Sequence, residues 1–549
     1  MSEAPQIYQT NSQSLPLHEL LSRLLESEKA SHRHPLPIMG TLQDFNQSLE
    51  GRPLLDFLNA SLRGIGQVAF ANNPISGLLI ILAVFIQSPW AALMMMVGVV
   101  AATVTAYRMH IDRPSIRNGI FGFNGTLIGL ALGTFGSWGN GSGNLLWVLA
   151  IAICAALSTV LMKHLGLWMA VHLKLPSMGV PFILITLLFL ASATYIPQPF
   201  FELGTPPPFP NPAESLDGVR IVSALVTGIG QVFFSGSMVS AVLIIIAITL
   251  CSPMGAVVAV LGCAIGLLTG ILLGVDLNVL YAGLWGYNST LTAIAIGGIF
   301  YTPNRRSLAA GCAGALVAAL LAWLLSLVMT TLGLPILSVP FQLAVYGCFL
   351  VLRRSLSSLV PVAPYSIANP EEHRFRYLTA KEVISAFRSR LRGAMAGEHH
   401  KVLFDRAPQE LKGDLRYIFN AIDQDQSGSL SLQELRYHFQ QAGHPLSEEE
   451  LNFAFSSMDF DNSGEIDFEE FGELLLRHRR LMSRLDEFST YFIPIDTDGN
   501  GVLDPEEMNV VLTSVNEPPL TQEEVSFLRQ RIGNKDLTWE SFLELLLVI

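Results

Sequence analysis

The sequence predicts an all-α fold: a polytopic membrane domain of two inverted repeats with re-entrant half-helices, followed by a soluble helical domain. Three observations predict it. First, residues from about 54 to 352 are almost continuously apolar, with few acidic residues (Asp56, Asp112, Glu202, Glu214, Asp217 and Asp276). Second, phrases recur within that stretch at a fixed distance. GIFGFNG at 119–125 returns as GLWGYNS at 283–289, an offset of 164 (283 − 119). The same offset carries GIGQVAF at 64–70 onto GIGQVFF at 228–234, and Asp112 onto Asp276. LPSMGVPF at 175–182 and LPILSVPF at 334–341 lie 159 apart (334 − 175). Repeats of this length exceed any solenoid unit and read as the halves of a duplicated membrane domain. Third, charge is dense from about 370 onward, so most of the formal charge of −12 belongs to the tail.

Composition agrees with this division. The 549 residues are 14% charged and have a mean hydropathy of +0.44, which suits an integral membrane protein carrying a soluble acidic domain. The five cysteines (Cys154, Cys251, Cys263, Cys312, Cys348) fall in apolar runs without metal-like spacing. They read as small buried hydrophobes rather than disulfides or ligands. The N-terminus lacks the basic-then-apolar pattern of a cleaved signal peptide.

Residues 1–53 form a polar N-terminal segment with one amphipathic stretch, Leu17, Leu20, Leu21, Leu24 and Leu25 at helical spacing. The first repeat, 54–196, gives apolar segments near 54–70, 75–106, 119–135, 145–173 and 180–196. Pro89 divides the second of these into two. Residues 197–218 are Pro-rich, contain no Lys or Arg, and read as an inter-repeat loop. The second repeat, 219–352, has segments near 219–234, 239–274, 283–301, 307–332 and 339–352. Basic residues cluster before the first span (Arg52, Arg63) and after the last (Arg353, Arg354). By the positive-inside rule both termini are then cytoplasmic, in a multi-pass protein of the cell membrane. The loop at 197–218 is then external, and each half crosses the bilayer an odd number of times, which inverts one half against the other. Arg108, Arg113, Arg117, Arg305 and Arg306 blur this count.

The repeated phrases suggest a pore through the bilayer. Gly and Asn are poor choices for a lipid-facing helix, and Gly-aromatic-Asn clusters imply close backbone approach. Non-helical backbone at membrane depth survives only where buried in protein or lining a wet cavity. Asp112 and Asp276 each precede an Asn by 12 residues (124 − 112, 288 − 276) and suit caps at the start of short re-entrant helices. Two such half-helices would aim positive N-termini at the bilayer centre and oppose cations there. The bland alternative is that these glycines serve only tight helix packing. Against it, Gln67 and Gln231 recur in register beside them, and a glutamine in hydrocarbon needs a partner. Its amide also pairs naturally with a neutral amide-like solute. No chain of carboxylates or histidines crosses the domain, which disfavours proton- or sodium-coupled pumping.

GIGQVxF, Gly-aromatic-Gly-aromatic-Asn-Gly/Ser and LPxxxxPF, once in each half, resemble the urea transporter family. The resemblance covers about 54–352, and the second half is the closer match. It implies a homotrimer in which each subunit holds its own pore, passing dehydrated urea through two narrow slots. It also implies that Phe70 with Leu127 walls one slot and Phe234 with Leu291 the other. Gln67 and Gln231 would then serve the mouths, with Asn124 and Asn288 in the re-entrant turns. Where the family motif LPxxTxPF has a threonine near the pore centre, this chain has Gly179 and Ser338. SGSM at 235–238 replaces the NNP turn of 72–74.

The tail carries three twelve-residue loops: DQDQSGSLSLQE at 423–434, DFDNSGEIDFEE at 459–470 and DTDGNGVLDPEE at 496–507. Each has oxygen side chains at its first, third and fifth positions, Gly at the sixth and Glu at the twelfth. That is the EF-hand pattern for calcium. The ligating positions are Asp423, Asp425, Ser427, Ser429, Ser431 and Glu434; Asp459, Asp461, Ser463, Glu465, Asp467 and Glu470; and Asp496, Asp498, Asn500, Val502, Asp504 and Glu507. EF-hands pair. A degenerate fourth loop, starting at Gln530 with Ile532 third, Asn534 fifth and Ser541 twelfth, completes the second lobe of a domain at 411–549. The linker 353–410 contains the basic amphipathic stretch 374–395, with Val383, Ile384, Phe387 and Leu391 on one side. It reads as a target of opened EF-hand grooves, a lipid-surface helix or a solvated helix.

These features point to a channel for urea in the lipid bilayer, modulated by calcium through the tail. A channel for another small neutral amide or ammonia, given Gly179, is the first alternative. The second is a calcium-sensing scaffold anchored in the membrane, for which paired glutamines would have no purpose. No nucleophile–base pair suggests an enzyme, and nothing points to nucleic acid.

Overall fold

A computed structural model describes residues 34–49, 51–137, 145–196, 201, 203, 215–355, 359–362, 368–396, 402–441, 447–482 apart from 460 and 462, 502, 504–531 apart from 516, and 538. The N-terminal leucine stretch, the inner part of the third calcium-type loop and most of the fourth lie outside them. The chain forms two compact units, one over His32–Phe375 and the other over Arg376–Ile549. Among the described residues the regular elements are helices apart from short paired strands, so the fold is all-α as expected.

In the first unit, α1 (Gln43–Ser48) precedes α2 (Pro53–Gln67), α3 (Pro74–Gln87), α4 (Pro89–Arg108), α5 (Arg113–Arg117), α6 (Phe123–Ser137), α7 (Leu145–His172) and α8 (Val180–Tyr195). The second half follows as α9 (Gly218–Gly230), α10 (Met238–Cys251), α11 (Pro253–Leu272), α12 (Leu277–Tyr281), α13 (Tyr287–Ile294), α14 (Arg305–Thr331) and α15 (Val339–Ser355). The 164-residue offset maps one set of starts onto the other: 74 onto 238, 89 onto 253, 113 onto 277 and 123 onto 287. Local chemistry sets these starts. Pro89 and Pro253 occupy the first helical position, and Ser88 and Ser252 cap the amides of Ala91 and Gly255. Pro89 thus divides its apolar stretch by opening a helix.

Four of these helices (α4, α7, α11 and α14) are each long and apolar enough to cross a membrane. A fifth candidate is a span broken by a 71° bend, Gly218–Phe233 with Met238–Cys251. Their outward faces carry exposed large hydrophobics, among them Leu149, Ile153 and Leu157 on α7 and Leu320, Leu324 and Leu327 on α14. In an aqueous protein such faces would demand cover. Such faces accord with a membrane protein.

Asp112 and Asp276 do cap helices, but these are five-residue helices that precede α6 and α13. Their carboxylates accept from Ser115 N and Asn278 N and start the five-residue α5 and α12. α6 and α13 begin 11 residues later (123 − 112, 287 − 276). Between them the backbone turns at Gly119 (φ 69°) and Gly283 (φ 75°). A Cβ on Gly119 would stand 2.2 Å from Gly64 N, and one on Gly283 would stand 2.6 Å from Gly228 N. The duplicated phrase is therefore the place where each turn lies backbone against backbone on the first helix of its own half.

The second unit begins within α16 (Pro370–Met395), whose last residue in the first unit is Phe375. It continues through α17 (Val402–Arg406), α18 (Gln409–Ile422), α19 (Leu432–Gln441), α20 (Glu448–Met458), α21 (Phe468–Met482), α22 (Pro505–Ser514) and α23 (Gln522–Arg531). The strands Ser429–Leu430 and Ile466–Asp467 pair antiparallel, joining the first two loops into one lobe. Phe419 packs edge-on against Phe468 and Phe471 at its centre. The apolar side of α16 is buried: Ala380, Ile384, Phe387 and Leu391 share a core with Met508, Leu512, Val515 and Leu528. Arg388 forms a buried ion pair with Glu524 at 2.9 Å. Of the three readings of the basic amphipathic stretch, this packing is that of a helix held by an EF-hand lobe.

Candidate functional site

One cavity of about 1900 Å3 within the first unit is lined from both halves. Its wall includes Gln67, Phe70, Leu127 and Gly179 of the first half and Gln231, Phe234, Leu291 and Ser338 of the second. Phe70 and Phe234 both adopt left-handed backbone, φ 58° and 56°. They close the turns that follow α2 and α9, and the strained turns aim both rings into the same space. Each ring meets aromatics of the opposite half. Phe70 lies edge-on to Phe300 and Phe341, with centroids 6.2 and 6.3 Å apart. Phe234 lies edge-on to Phe135 at 6.4 Å. The result is a cavity with flat apolar walls and sparse polar points.

The two glutamines line the cavity but are held by opposite ends. Gln67 Oε1 accepts from Asn72 Nδ2 at 3.0 Å, whereas Gln231 Nε2 donates to the Ala282 carbonyl at 2.8 Å. Asn124 and Asn288 are not on the wall; they brace it from behind. Asn124 Oδ1 accepts from Phe182 N, and its Nδ2 donates to the Met178 carbonyl. Asn288 repeats both bonds with Phe341 N and the Leu337 carbonyl. Met178 and Leu337 have positive φ, 42° and 46°, and directly precede Gly179 and Ser338. The repeated asparagines thus fix the kinked backbone that presents positions 179 and 338 to the cavity.

Sequence reasoning missed Phe135, Phe300 and Gln342. Phe135 is offset onto Ile299, so a search for repeated positions passes over both aromatics. Phe341 stands in the LPxxxxPF phrase and could have been found there.

It also missed a polar network that reaches Gln67. Glu372, in the first turn of α16, accepts from Thr41 N at 3.0 Å and from the Thr41 hydroxyl at 2.9 Å. Its neighbour Glu371 accepts from Ser252 Oγ and Met254 N. Burial alone would raise the Glu372 carboxyl, but hydrogen bonds from His34, Thr41 and Asn369 hold it below the usual range. Arg63 donates to the Thr41 and Leu42 carbonyls, and to Asn72 Oδ1 at 2.7 Å. Asn72 then reaches Gln67. Arg63, expected as a flanking cation, is instead fully buried as an organiser of the segment at 38–42. Asn73 completes the arrangement by capping α3 and donating to the Ile38 and Gly40 carbonyls. This explains the NNP turn. The second half has Thr227 and Gly236 where the first has Arg63 and Asn72, so its turn has no such segment to hold.

In the second unit the first two loops fold as acid-lined cups. Asp423, Asp425 and Glu434 bring ligand oxygens within 4.8 Å of one another, and so do Asp459, Asp461 and Glu470. Gly428 and Gly464 (φ 85° and 84°) turn each loop. Ser427 N and Gly428 N bond Asp423, while Ser463 N and Gly464 N bond Asp459, which orients each first ligand. Three converging carboxylates repel unless a cation joins them, so the donor set fits an oxygen-loving divalent ion. Ser429 and Glu465 stand at the seventh positions, and Ser431 and Asp467 at the ninth. Of the third loop, Asp496, Asp498 and Asn500 lie outside the described residues. Asp504 and Glu507 cap the start of α22, each backbone N–H donating to the other's carboxylate. Val502 pairs with Thr538. This is a seventh-to-ninth pairing when the fourth loop starts at Gln530, matching Ser429 with Asp467 in the first lobe. Ile532, Asn534 and Ser541 lie outside the described residues.

Comparisons with known proteins fall on the same two units. A family model described as urea transporter matches residues 58–353. Models described as EF-hand domain pair and EF hand match 412–476 and 489–512. Urea transporter 1 of Capra hircus is 35% identical over 352 residues, covering 62% of this chain and 89% of that protein. Urea transporter 1 of Rattus norvegicus is 30% identical over 356 residues, 63% of this chain and 90% of that protein. Calcium-binding protein SPEC 2C of Strongylocentrotus purpuratus is 30% identical over 129 residues, 23% of this chain and 84% of that protein.

Proposed function

Because this chain belongs to the urea transporter family and carries C-terminal EF-hand domains, we propose that it is a passive urea channel modulated by calcium. The observation that carries the transport reading is that both copies of the Gln-Phe-Leu set line one and the same cavity. Phe70 with Leu127, and Phe234 with Leu291, would wall two slots too narrow and too dry for a hydrated ion but suited to a flat neutral molecule. Gln67 and Gln231 would meet the solute at the mouths, replacing water hydrogen bonds as it sheds its shell. The family transports passively, so no coupling ion or catalytic step is invoked.

The protein would sit in the cell membrane with both termini cytoplasmic, its halves inverted, as a homotrimer. Asp423, Asp425, Ser427, the Ser429 carbonyl, Ser431 and Glu434 would hold one calcium ion, and the corresponding residues of the other two loops one each. Calcium would supply the charge that joins the loop carboxylates. The regulatory reading is supported by α16: Ile384, Phe387 and Leu391 are core residues of the EF-hand unit, while Glu372 of the same helix bonds Thr41. A changed hold on Phe387 would act along the helix on Glu372, and through Thr41, Arg63 and Asn72 on Gln67.

Stopped-flow urea flux in proteoliposomes, with calcium and with chelator, tests both parts. Flux that differs between the two conditions is expected. Equal flux would remove the regulatory part, and no urea flux in either would remove the transport part.

A further inference from the structure

Phe70 and Phe234 are each met edge-on by a cavity-lining ring of the opposite half, and those two rings are mounted differently. Phe135 meets Phe234 at 6.4 Å and 88°, and Phe300 meets Phe70 at 6.2 Å and 84°. Phe135 and Phe300 lie 165 residues apart (300 − 135), one more than the 164 that relates the halves. A π-turn takes up the extra residue. In the first half α6 runs unbroken past Phe135 to Ser137. In the second, α13 passes into a π-turn over Ala295–Ile299, and Phe300 N donates at 2.8 Å to the Ala295 carbonyl, five residues back (300 − 295). The turn thereby gives Phe300 the angle that an unbroken helix would give Ile299, the counterpart of Phe135. Relaxed to α-helix, the same chain would carry Phe300 about 100° away from Phe70.

The segment that leads into α16 holds this turn. Val362 N donates to the Phe300 carbonyl, and Thr302 N to the Val360 carbonyl, both at 2.9 Å. Asn369 Nδ2 donates to the Cys251 carbonyl at 2.6 Å. Pro370, the first residue of α16, lies against the π-turn itself: a Cβ on Gly298 would stand 2.9 Å from its ring. Of two matched rings, one therefore stands on a turn with an alternative register, tied to the start of the helix whose Ile384, Phe387 and Leu391 are core residues of the EF-hand unit.

We propose that Phe135 and Phe300 are further specificity-determining residues, each setting the width of the passage beside the ring it meets. Phe300 is the adjustable one, set by Val360, Val362 and Pro370. The rings admit flat amides of the size of urea and exclude those carrying an N-alkyl group. This deepens the reading of a calcium-modulated urea channel and rests on it.

The test is the flux of urea and of N-methylurea through the full chain in proteoliposomes, each with calcium and with chelator. Phe300→Leu keeps an apolar side chain and removes the ring edge. It is expected to raise the N-methylurea to urea flux ratio about tenfold, and Phe135→Leu to do the same. Lost packing alone would scale both solutes together, so an unmoved ratio in a folded Phe300→Leu protein would overturn the specificity role; if that variant does not assemble, Phe135→Leu decides. Val362→Pro removes the N–H that holds the Phe300 carbonyl and is expected to abolish the difference between urea flux with calcium and with chelator. A full difference in that variant would overturn the coupling. If Val362→Pro does not assemble, Pro370→Ala, which withdraws the contact with Gly298, decides by the same comparison. Equal urea flux in both conditions through the unaltered chain would defeat the regulatory reading and the coupling with it, while the flux ratio still judges Phe300. Absence of urea flux would defeat the transport reading and the whole proposal.

Discussion

Glu372 takes both the backbone N–H and the hydroxyl of Thr41, at 3.0 and 2.9 Å. The Thr41 carbonyl in turn accepts from Arg63. One residue of the N-terminal segment thereby joins the start of α16 to Arg63 of α2. Hydrogen bonds to a buried charge contribute about 1.5–3 kcal/mol. Thr41→Val keeps the shape and removes the hydroxyl. It should lower the thermal stability of the membrane unit by roughly that amount and shrink the difference between urea flux with calcium and with chelator. An undiminished calcium response in a stably folded Thr41→Val protein would rule this route out.

Gly119 should tolerate no side chain. Its φ of 69° disfavours any Cβ, and the added atom would lie 2.2 Å from Gly64 N. Gly119→Ala, and Gly283→Ala by the same geometry, should each destabilise by on the order of 3 kcal/mol. Detergent-solubilised protein would show this as a lower unfolding temperature. A Gly119→Ala protein of unchanged stability would mean that the turn does not pack on α2 as described.

The closing glutamates make a separate prediction. Glu434→Gln and Glu470→Gln should each weaken calcium binding at their own loop about tenfold or more, about 1.4 kcal/mol. Isothermal titration of the purified chain would show this. The exposed Arg436–Glu448 pair provides a control, because an ion pair in solvent contributes little. Arg436→Gln should leave calcium binding unchanged.

His478 on α21 gives the EF-hand unit a pH dependence. Burial holds its pKa below the ordinary value of 6.5, and its Nδ1 is buried without a hydrogen-bond partner. The folded state therefore prefers neutral imidazole, while the unfolded chain takes up the proton near pH 6.5. Stability is full above that pH and falls as the pH drops below it, because the unfolded state binds more protons there. Amide exchange in α21, corrected for intrinsic rates, should show weaker protection at pH 6.0 than at 7.5, both chosen about half a unit or more from the reference value. His478→Leu should remove the difference. Equal protection at both pH values in the unaltered chain would contradict this account of His478.

Much of this was legible in the sequence because duplication and loop spacing are strong signals. GIFGFNG and GLWGYNS mark the paired turns, and the Asp-x-Asp-x-Ser-Gly loops mark the calcium-type cups. What stayed hidden depends on contacts between unlike positions. Phe135 and Phe300 face Phe234 and Phe70 across the halves, yet neither aligns with the other under the offset. Arg63 looked like a membrane-flanking cation because two of its acceptors, the Thr41 and Leu42 carbonyls, belong to a segment with no periodic pattern. Asp112 and Asp276 were legible as caps, but the turn at Gly119 and Gly283 separates the short capped helices from α6 and α13.

The central claim is that urea crosses through the cavity walled by Phe70 and Phe234. Its most direct measurement is stopped-flow urea flux in proteoliposomes holding the unaltered chain, with Phe70→Ala and Phe234→Ala beside it. The account predicts saturable urea flux well above that of empty liposomes, and a changed urea flux in both variants. Urea flux no greater than that of empty liposomes would contradict it.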